Sequence, residues 1–193
     1  MYLIVSTALD KTVNSISELK AKTGLDGSGE FPLLPQVNSA QLTFQNLLYA
    51  DMLHSLRLAL LGQTESRGTI LVTSAQADAG SSLIAEMLAW SAAKSGKTLL
   101  IDVDYLASAG LSARYPQHKT GFSARLEDRC ATPQAVVSLA DNLDFMPRGE
   151  LNDSTLLLLT SQRLPALLTT LRQTYDSLIL NAPSLGLAQD GLL

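Results

Sequence analysis

An apolar strand that passes through a turn of small residues straight into a helix restricts this chain more than any other stretch: Thr69-Ile-Leu-Val-Thr-Ser-Ala-Gln-Ala-Asp-Ala-Gly-Ser-Ser82. The arrangement reads as a phosphate-binding loop without its lysine, because that loop has the pattern Gly-x-x-x-x-Gly-Lys-[Ser/Thr] between a strand and a helix. Ala75 and Gly80 take the glycine places, Ser82 the hydroxyl place, and Ser81 stands where the lysine belongs. Small residues let backbone N–H groups turn inward as an anion nest, and the helix N-terminus behind them adds positive potential. Those two contributions survive. A lysine would add a point charge on the terminal phosphates, worth ~4 kcal/mol at ~4 Å and an effective dielectric of ~20. Even half of that, acting only in a transition state, is more than tenfold in rate. The loop thus points to a nucleotide-type fold with impaired chemistry.

The pattern after the loop extends this reading. Strand 69–74 leads to a helix over 81–95, with Leu83, Ile84, Met87, Leu88 and Ser91 on one face and Gly96 at its end. A strand over 98–104 follows, and such a strand–helix–strand unit implies a parallel pair with a right-handed crossover. Short helices are expected over 121–127 and 132–140, a strand over 142–146, helices over 153–160 and 163–175, and a last strand over 177–182. Together these give a doubly wound, mainly parallel α/β sheet.

Upstream, Gln41–Leu61 carries apolar residues at helical spacing, which predicts an amphipathic helix of about five turns. Its polar stripe holds Asp51, His54 and Arg57, spaced three apart. Before it, Ser15 and Glu18 form a capping-box pattern for a short helix ending at Gly24, and residues 25–40 are a Gly/Pro/Ser-rich linker. The expected organisation is therefore 1–24, a linker over 25–40, a helix with its loop over 41–66, and an α/β domain over 67–193. Met1–Ser6 is apolar but far shorter than the ~20 residues of a membrane helix and lacks the flanks of a signal peptide.

Composition narrows the partners. A net charge of −4 without a long basic run gives nothing to recruit nucleic acid through its phosphates. The single cysteine, Cys130, makes no internal disulfide and has no ligand-spaced companions, which fits a buried thiol in a reducing compartment. His54 and His118 read as a helix-face and a loop residue, and the five tyrosines do not cluster.

These motifs, in this order, resemble the cytoplasmic domain of the bacterial tyrosine kinases, nucleotide-binding partners of the polysaccharide co-polymerases that control capsule and exopolysaccharide export and chain length. Leu71–Ser82 resembles the family's Walker A segment, and Gly96-Lys-Thr-Leu-Leu-Ile-Asp-Val-Asp104 its Walker A′ strand with two aspartates. Asn142-Leu-Asp-Phe-Met-Pro-Arg-Gly149 is similar to the strand leading into a Pro-x-Gly loop, and Tyr175-Asp-Ser-Leu-Ile-Leu-Asn-Ala-Pro183 to the Walker B strand. Asp51-Met-Leu-His-Ser-Leu-Arg57 resembles the family's Glu-x-x-Arg-x-x-Arg helix, implied to pack protomers into a ring. Residues 8–24 are similar to its juxtamembrane segment, which implies the cytoplasmic face of the bacterial inner membrane.

The resemblance implies a nucleotide site of Ala75, Gln76, Ala77, Asp78, Ala79, Gly80, Ser81, Ser82 and Asn181, with ATP or ADP as ligand. It implies magnesium held by Ser82 and Asp102, and Asp102 and Asp104 as the catalytic carboxylates of an active kinase. Asp51, His54 and Arg57 would form the oligomer interface, and the membrane-embedded co-polymerase half would be the partner. Departures fall on the chemistry: Ser81 replaces the Walker lysine, Asn181 the Walker B aspartate, His54 an arginine, and Asp78 adds negative charge to the loop. The chain stops at Leu193, so the resemblance also implies that the family's last strands, final helices and tyrosine-rich tail are missing. Three readings follow: a degenerate, structural or regulatory module with weak or absent nucleotide and magnesium binding and weak homo-oligomerisation; a working ATP-dependent tyrosine autokinase; and a MinD-like membrane-associated ATPase. The lost lysine and carboxylate favour the first over the second, and the Asp51–Arg57 helix favours both over the third.

Overall fold

The computed structural model describes residues 13, 15–27, 51, 53–58, 68–107, 110–116, 118–150 and 152–185. The chain divides into two units, residues 1–36 and 37–193. In the first, helix α1 (Ile16–Thr23) is capped as its sequence predicts: the Ser15 side chain accepts from the Glu18 N–H at 3.2 Å, and Gly24 closes the helix at φ 74°. A left-handed C-terminal residue favours glycine, which has no Cβ to clash. The expected segments 1–12 and 28–40, the first half of the long helix and everything after 185 lie outside the described residues.

The second unit is built on a five-stranded sheet. Its strands are β1 (Gly68–Val72), β2 (Thr98–Asp102), β3 (Val137–Ala140), β4 (Leu143–Met146) and β5 (Ser177–Asn181). They lie in the order β1-β5-β2-β4-β3, parallel except for the antiparallel β3–β4 pair. The helices are α2 (Ser81–Ala92), α3 (Phe122–Leu126), α4 (Thr132–Ala135), α5 (Asp153–Leu159) and α6 (Arg163–Leu171), with a 3-10 turn over Leu111–Arg114. This is the mainly parallel α/β sheet that the sequence implies.

Strand alternation sets its two faces. Leu99 and Ile101 of β2 and Leu178 and Leu180 of β5 pack with Phe122, Leu126, Leu167 and Leu171 in one apolar layer. Each buried aliphatic or aromatic side chain contributes roughly 1.5–3 kcal/mol relative to exposure. The alternate positions, ending in Asp102 and Asn181, turn to the other face. Because β1, β5 and β2 are in register, Val72, Asn181 and Asp102 lie side by side at the C-terminal ends of their strands. Ligand sites in such sheets form there.

Three expectations are corrected. Residues 132–140 are not one helix: α4 ends at Ala135, and Val137–Ala140 is a strand. Val137 and Leu139 are half-buried while Ser138 and Ala140 are exposed, the period-2 pattern of a strand, and a tight turn at Asp141-Asn142, with Asn142 at φ 60°, returns the chain into β4. The buried set on α2 also differs from the expected stripe. Ala85, Glu86, Met87, Leu88, Ala89 and Ala92 are buried, whereas Leu83 and Ile84 are only half-buried, because α2 is enclosed along most of its circumference. Lastly, α6 ends at Leu171, four residues before the expected Tyr175, and Tyr175 is buried in the apolar core.

One glycine fixes the loop after β4. A Cβ at Gly121 would fall 2.0 Å from the Pro147 carbonyl oxygen. That contact lets the N–H groups of Phe122 and Ser123 donate to the carbonyls of Pro147 and Arg148 at 2.7 and 3.0 Å. Among the described residues, no helix is long and apolar enough to cross a membrane.

Candidate functional site

The loop between β1 and α2 is exposed from Ala75 to Gly80, with Asp78 at φ 58° and Gly80 at φ 89°. Its base is tied down on both sides. The Ser74 hydroxyl donates to the Gln76 carbonyl at 2.7 Å, the Thr73 hydroxyl to the Pro183 carbonyl at 2.7 Å, and the Leu185 N–H to the Ser74 carbonyl at 2.8 Å. Gly80 caps α2 without a side chain, so the first amides of the helix open toward the cavity in front of it. That cavity, about 570 Å³, is lined by the loop residues Ala77, Asp78, Gly80, Ser81 and Ser82, by Asp104, Leu106 and Ala107 after β2, and by Arg114 and Ser184. Ala75, Gln76, Ala79 and Asn181 do not line it.

Asp102 lies behind the cavity. It is 1% exposed, and four donors surround its carboxylate. Oδ1 accepts from Asn181 Nδ2 at 3.0 Å and from the Asp104 N–H at 3.2 Å; Oδ2 accepts from the Ser112 N–H at 2.9 Å and the Ser112 hydroxyl at 2.6 Å. Ser112 in turn accepts from the Arg148 N–H at 2.8 Å, so the network joins β2, β5, the 3-10 turn and the loop after β4. A carboxylate offers about four lone-pair sites, and here all are taken.

These hydrogen bonds occupy the oxygens that Asp102 would offer to a directly coordinated magnesium. Magnesium needs near-octahedral oxygen ligation, with one or two carboxylates open to it. Among the described residues, no group of three acidic, histidine or cysteine side chains is placed to hold a metal. Asp104 does reach the cavity, its Oδ1 already accepting from the Leu106 and Ala107 N–H groups at 3.2 and 3.1 Å.

Among the described residues, the cavity carries two carboxylates, Asp78 and Asp104, against one guanidinium, Arg114. Arg114 is held by Glu86 of α2, with Nη1 donating to Oε2 at 2.6 Å. Arg148 clamps the segment after β2, its Nη1 donating to the carbonyls of Asp104 and Ala107 at 2.6 and 2.8 Å. The Ser184 hydroxyl, at a residue only 5% exposed, has no hydrogen-bond partner among the described residues, although Ser184 lines the cavity.

No protein-family model matches the chain, and no curated protein matches it by sequence. Solved structures do match. The VpsO kinase domain superposes with a TM-score of 0.63 at 24% identity, over 72% of this chain and 70% of that one. The BceF tyrosine kinase domain gives 0.63 at 30% identity, over 76% and 60%, so the chain spans about three fifths of BceF's domain. The kinase domain of the Escherichia coli tyrosine kinase ETK gives 0.71 at 21% identity, over 89% and 73%. The structural neighbours are bacterial tyrosine kinase domains. In this structure the loop 75–82 follows the C-terminal end of β1, and Asp102 and Asp104 lie at and just beyond the C-terminal end of β2.

Of the anticipated site residues, the fold brings Ala77, Asp78, Gly80, Ser81, Ser82 and Asp104 together, and pairs Asp102 with Asn181 behind them. Within the stripe Asp51, His54 and Arg57, Arg57 Nη2 lies 3.5 Å from His54 Nδ1. Residues 51 and 53–58 are helical, Asp51 and His54 are exposed, but Arg57 is half-buried and donates to the Ser95 hydroxyl beyond α2 at 3.1 Å. Sequence reasoning missed Ser112, Arg114, Arg148 and Ser184. Only Arg148 and Ser184 had a local signal, lying within or just beyond the quoted Met-Pro-Arg-Gly and Asn-Ala-Pro segments.

Proposed function

We propose that this chain is a degenerate kinase-like module that serves as a structural or regulatory part of exopolysaccharide or capsule polymerisation and export. It works on the cytoplasmic face of the bacterial inner membrane beside a membrane-embedded polysaccharide co-polymerase half, as a weak homo-oligomer. The observation that carries this reading is the Asn181–Asp102 hydrogen bond. It satisfies with an amide proton the carboxylate that a working site would present to a metal, in a chain whose loop also has Ser81 in the lysine's place. The nest of loop amides and the dipole of α2 remain, so nucleotide binding persists but is weak, opposed by Asp78 and Asp104.

The chemistry left to these residues is recognition. The α2 amides and the Ser81 and Ser82 hydroxyls donate to phosphate oxygens. Asp104 is the carboxylate placed to accept a proton from an incoming hydroxyl, but the charge that would stabilise the leaving phosphate is small. In the bacterium that carries the gene, deletion should disturb polysaccharide length or yield, and the Asp104→Asn variant should restore both. Failure of Asp104→Asn to restore them, together with tyrosine phosphate in a radiolabelled ATP assay that disappears on Asp102→Asn, would establish the active kinase instead.

A further inference from the structure

We infer that the cavity grips a diphosphate group without a metal ion, using Arg114 and Ser184, two residues outside the phosphate loop. The inference rests on the reading of the cavity as a phosphate site and assigns the groups that replace both lysine and magnesium. Three observations converge on it. First, the Ser184 hydroxyl is enclosed and has no partner among the described residues, and Ser184 lines the cavity. A buried hydroxyl without a partner is an unfavourable state that a ligand oxygen relieves.

Second, Arg114 supplies the guanidinium on the cavity wall, on the 3-10 turn that follows β2 and in an ion pair with Glu86 that leaves its side chain 47% exposed. A planar guanidinium holds one carboxylate while other N–H groups of the same fork reach a second anion, as a lysine ammonium does less well. Third, Asp102 is fully occupied by Asn181, Ser112 and the Asp104 N–H, so the usual place for a cation is closed by hydrogen bonds within the protein. Charge neutralisation of a bound diphosphate then falls to Arg114, the loop amides and the α2 dipole.

Glu86 sets the strength of this grip. It is buried on α2 and competes with the ligand for the same guanidinium. Neutralising it weakens the ion pair with Arg114 and removes a nearby negative charge, so the two substitutions should act in opposite directions.

The test is a titration of the whole chain with ADP, and separately with pyrophosphate, followed by backbone amide NMR shifts of residues 77–83, in excess EDTA and again in magnesium. Arg114→Ala should weaken ADP binding about tenfold, as expected for loss of a charge-assisted hydrogen bond. Ser184→Ala should weaken it about fivefold, and Glu86→Gln should strengthen it about threefold. Magnesium should leave the wild-type affinity within about twofold, since no coordinated ion contributes. Parallel losses for pyrophosphate would locate recognition on the phosphates; losses for ADP with no pyrophosphate binding would locate it on the nucleoside and overturn the diphosphate assignment. Binding that requires magnesium, or that is indifferent to both Arg114→Ala and Glu86→Gln in folded protein, would overturn the inference while leaving a phosphate site in place. Absence of any shift at roughly 10 mM of either ligand would remove the phosphate site itself.

Discussion

Replacing Asn181 by Asp restores the acid that the family resemblance places there, and in this fold it should be destabilising in a pH-dependent way. Asn181 Nδ2 donates to Asp102 Oδ1 at 3.0 Å, with the two residues 0% and 1% exposed. Two ionised carboxylates at ~3 Å would repel by ~5–6 kcal/mol at an effective dielectric of ~20. The pair therefore avoids double ionisation by keeping one proton, and the protonated acid then donates to its neighbour much as the amide did. That proton must be held at a pH above the carboxyl's ordinary value of ~3.9, which costs about 1.4 kcal/mol per pH unit. The penalty is then ~4 kcal/mol at pH 7 and ~1.5 kcal/mol at pH 5. The sign follows from linkage: the folded pair has a raised pKa, so its stability is present at low pH and lost as pH rises. Urea unfolding of wild type and Asn181→Asp at pH 5, 6 and 7 in EDTA measures this. A variant as stable as wild type at pH 7, or equally destabilised at all three values, would refute the assigned donor and acceptor roles.

Two further outcomes are expected. Burial, followed by the hydrogen bond its hydroxyl donates to Asp144 Oδ2 at 2.8 Å, raises the Tyr175 pKa above its usual 10.0. Stability from this group is complete below about pH 10 and falls as pH rises toward the folded value; thermal melts between about pH 9 and 11.5 should show an alkaline decline that Tyr175→Phe reduces, and equal declines would contradict it. Because Arg57 donates to Ser95 within the same chain, Arg57→Ala should lower stability by about 1 kcal/mol and leave the sedimentation coefficient at neutral pH unchanged. A ring that dissociates on this substitution would show that Arg57 works between protomers.

The local signals were sufficient for four of the five strands and the loop after the first. Apolar strands, the Ser15 cap, the Gly24 stop and the strand-turn-helix at 69–82 depend on neighbours within a few residues, so the linear pattern determines them. Where a segment carried two patterns at once, as at 132–140, the partner strand decided: β4 draws Val137–Ala140 into a hairpin that a propensity reading cannot weigh. The burial of α2 on several sides was likewise set by what surrounds it. The family resemblance also singled out Ser81 and Asn181 as departures from its pattern. What the departures do was decided only in three dimensions. Asp102 and Asn181 are separated by 79 positions, and Arg114 and Glu86 by 28, and no periodicity links such pairs. The parallel pairing of β2 with β5 places an amide against a buried carboxylate, and a polar group withdrawn from water must be satisfied by whatever the fold places beside it. That requirement makes Asn181 a hydrogen-bond donor to Asp102, and leaves Asp104 rather than Asp102 lining the cavity.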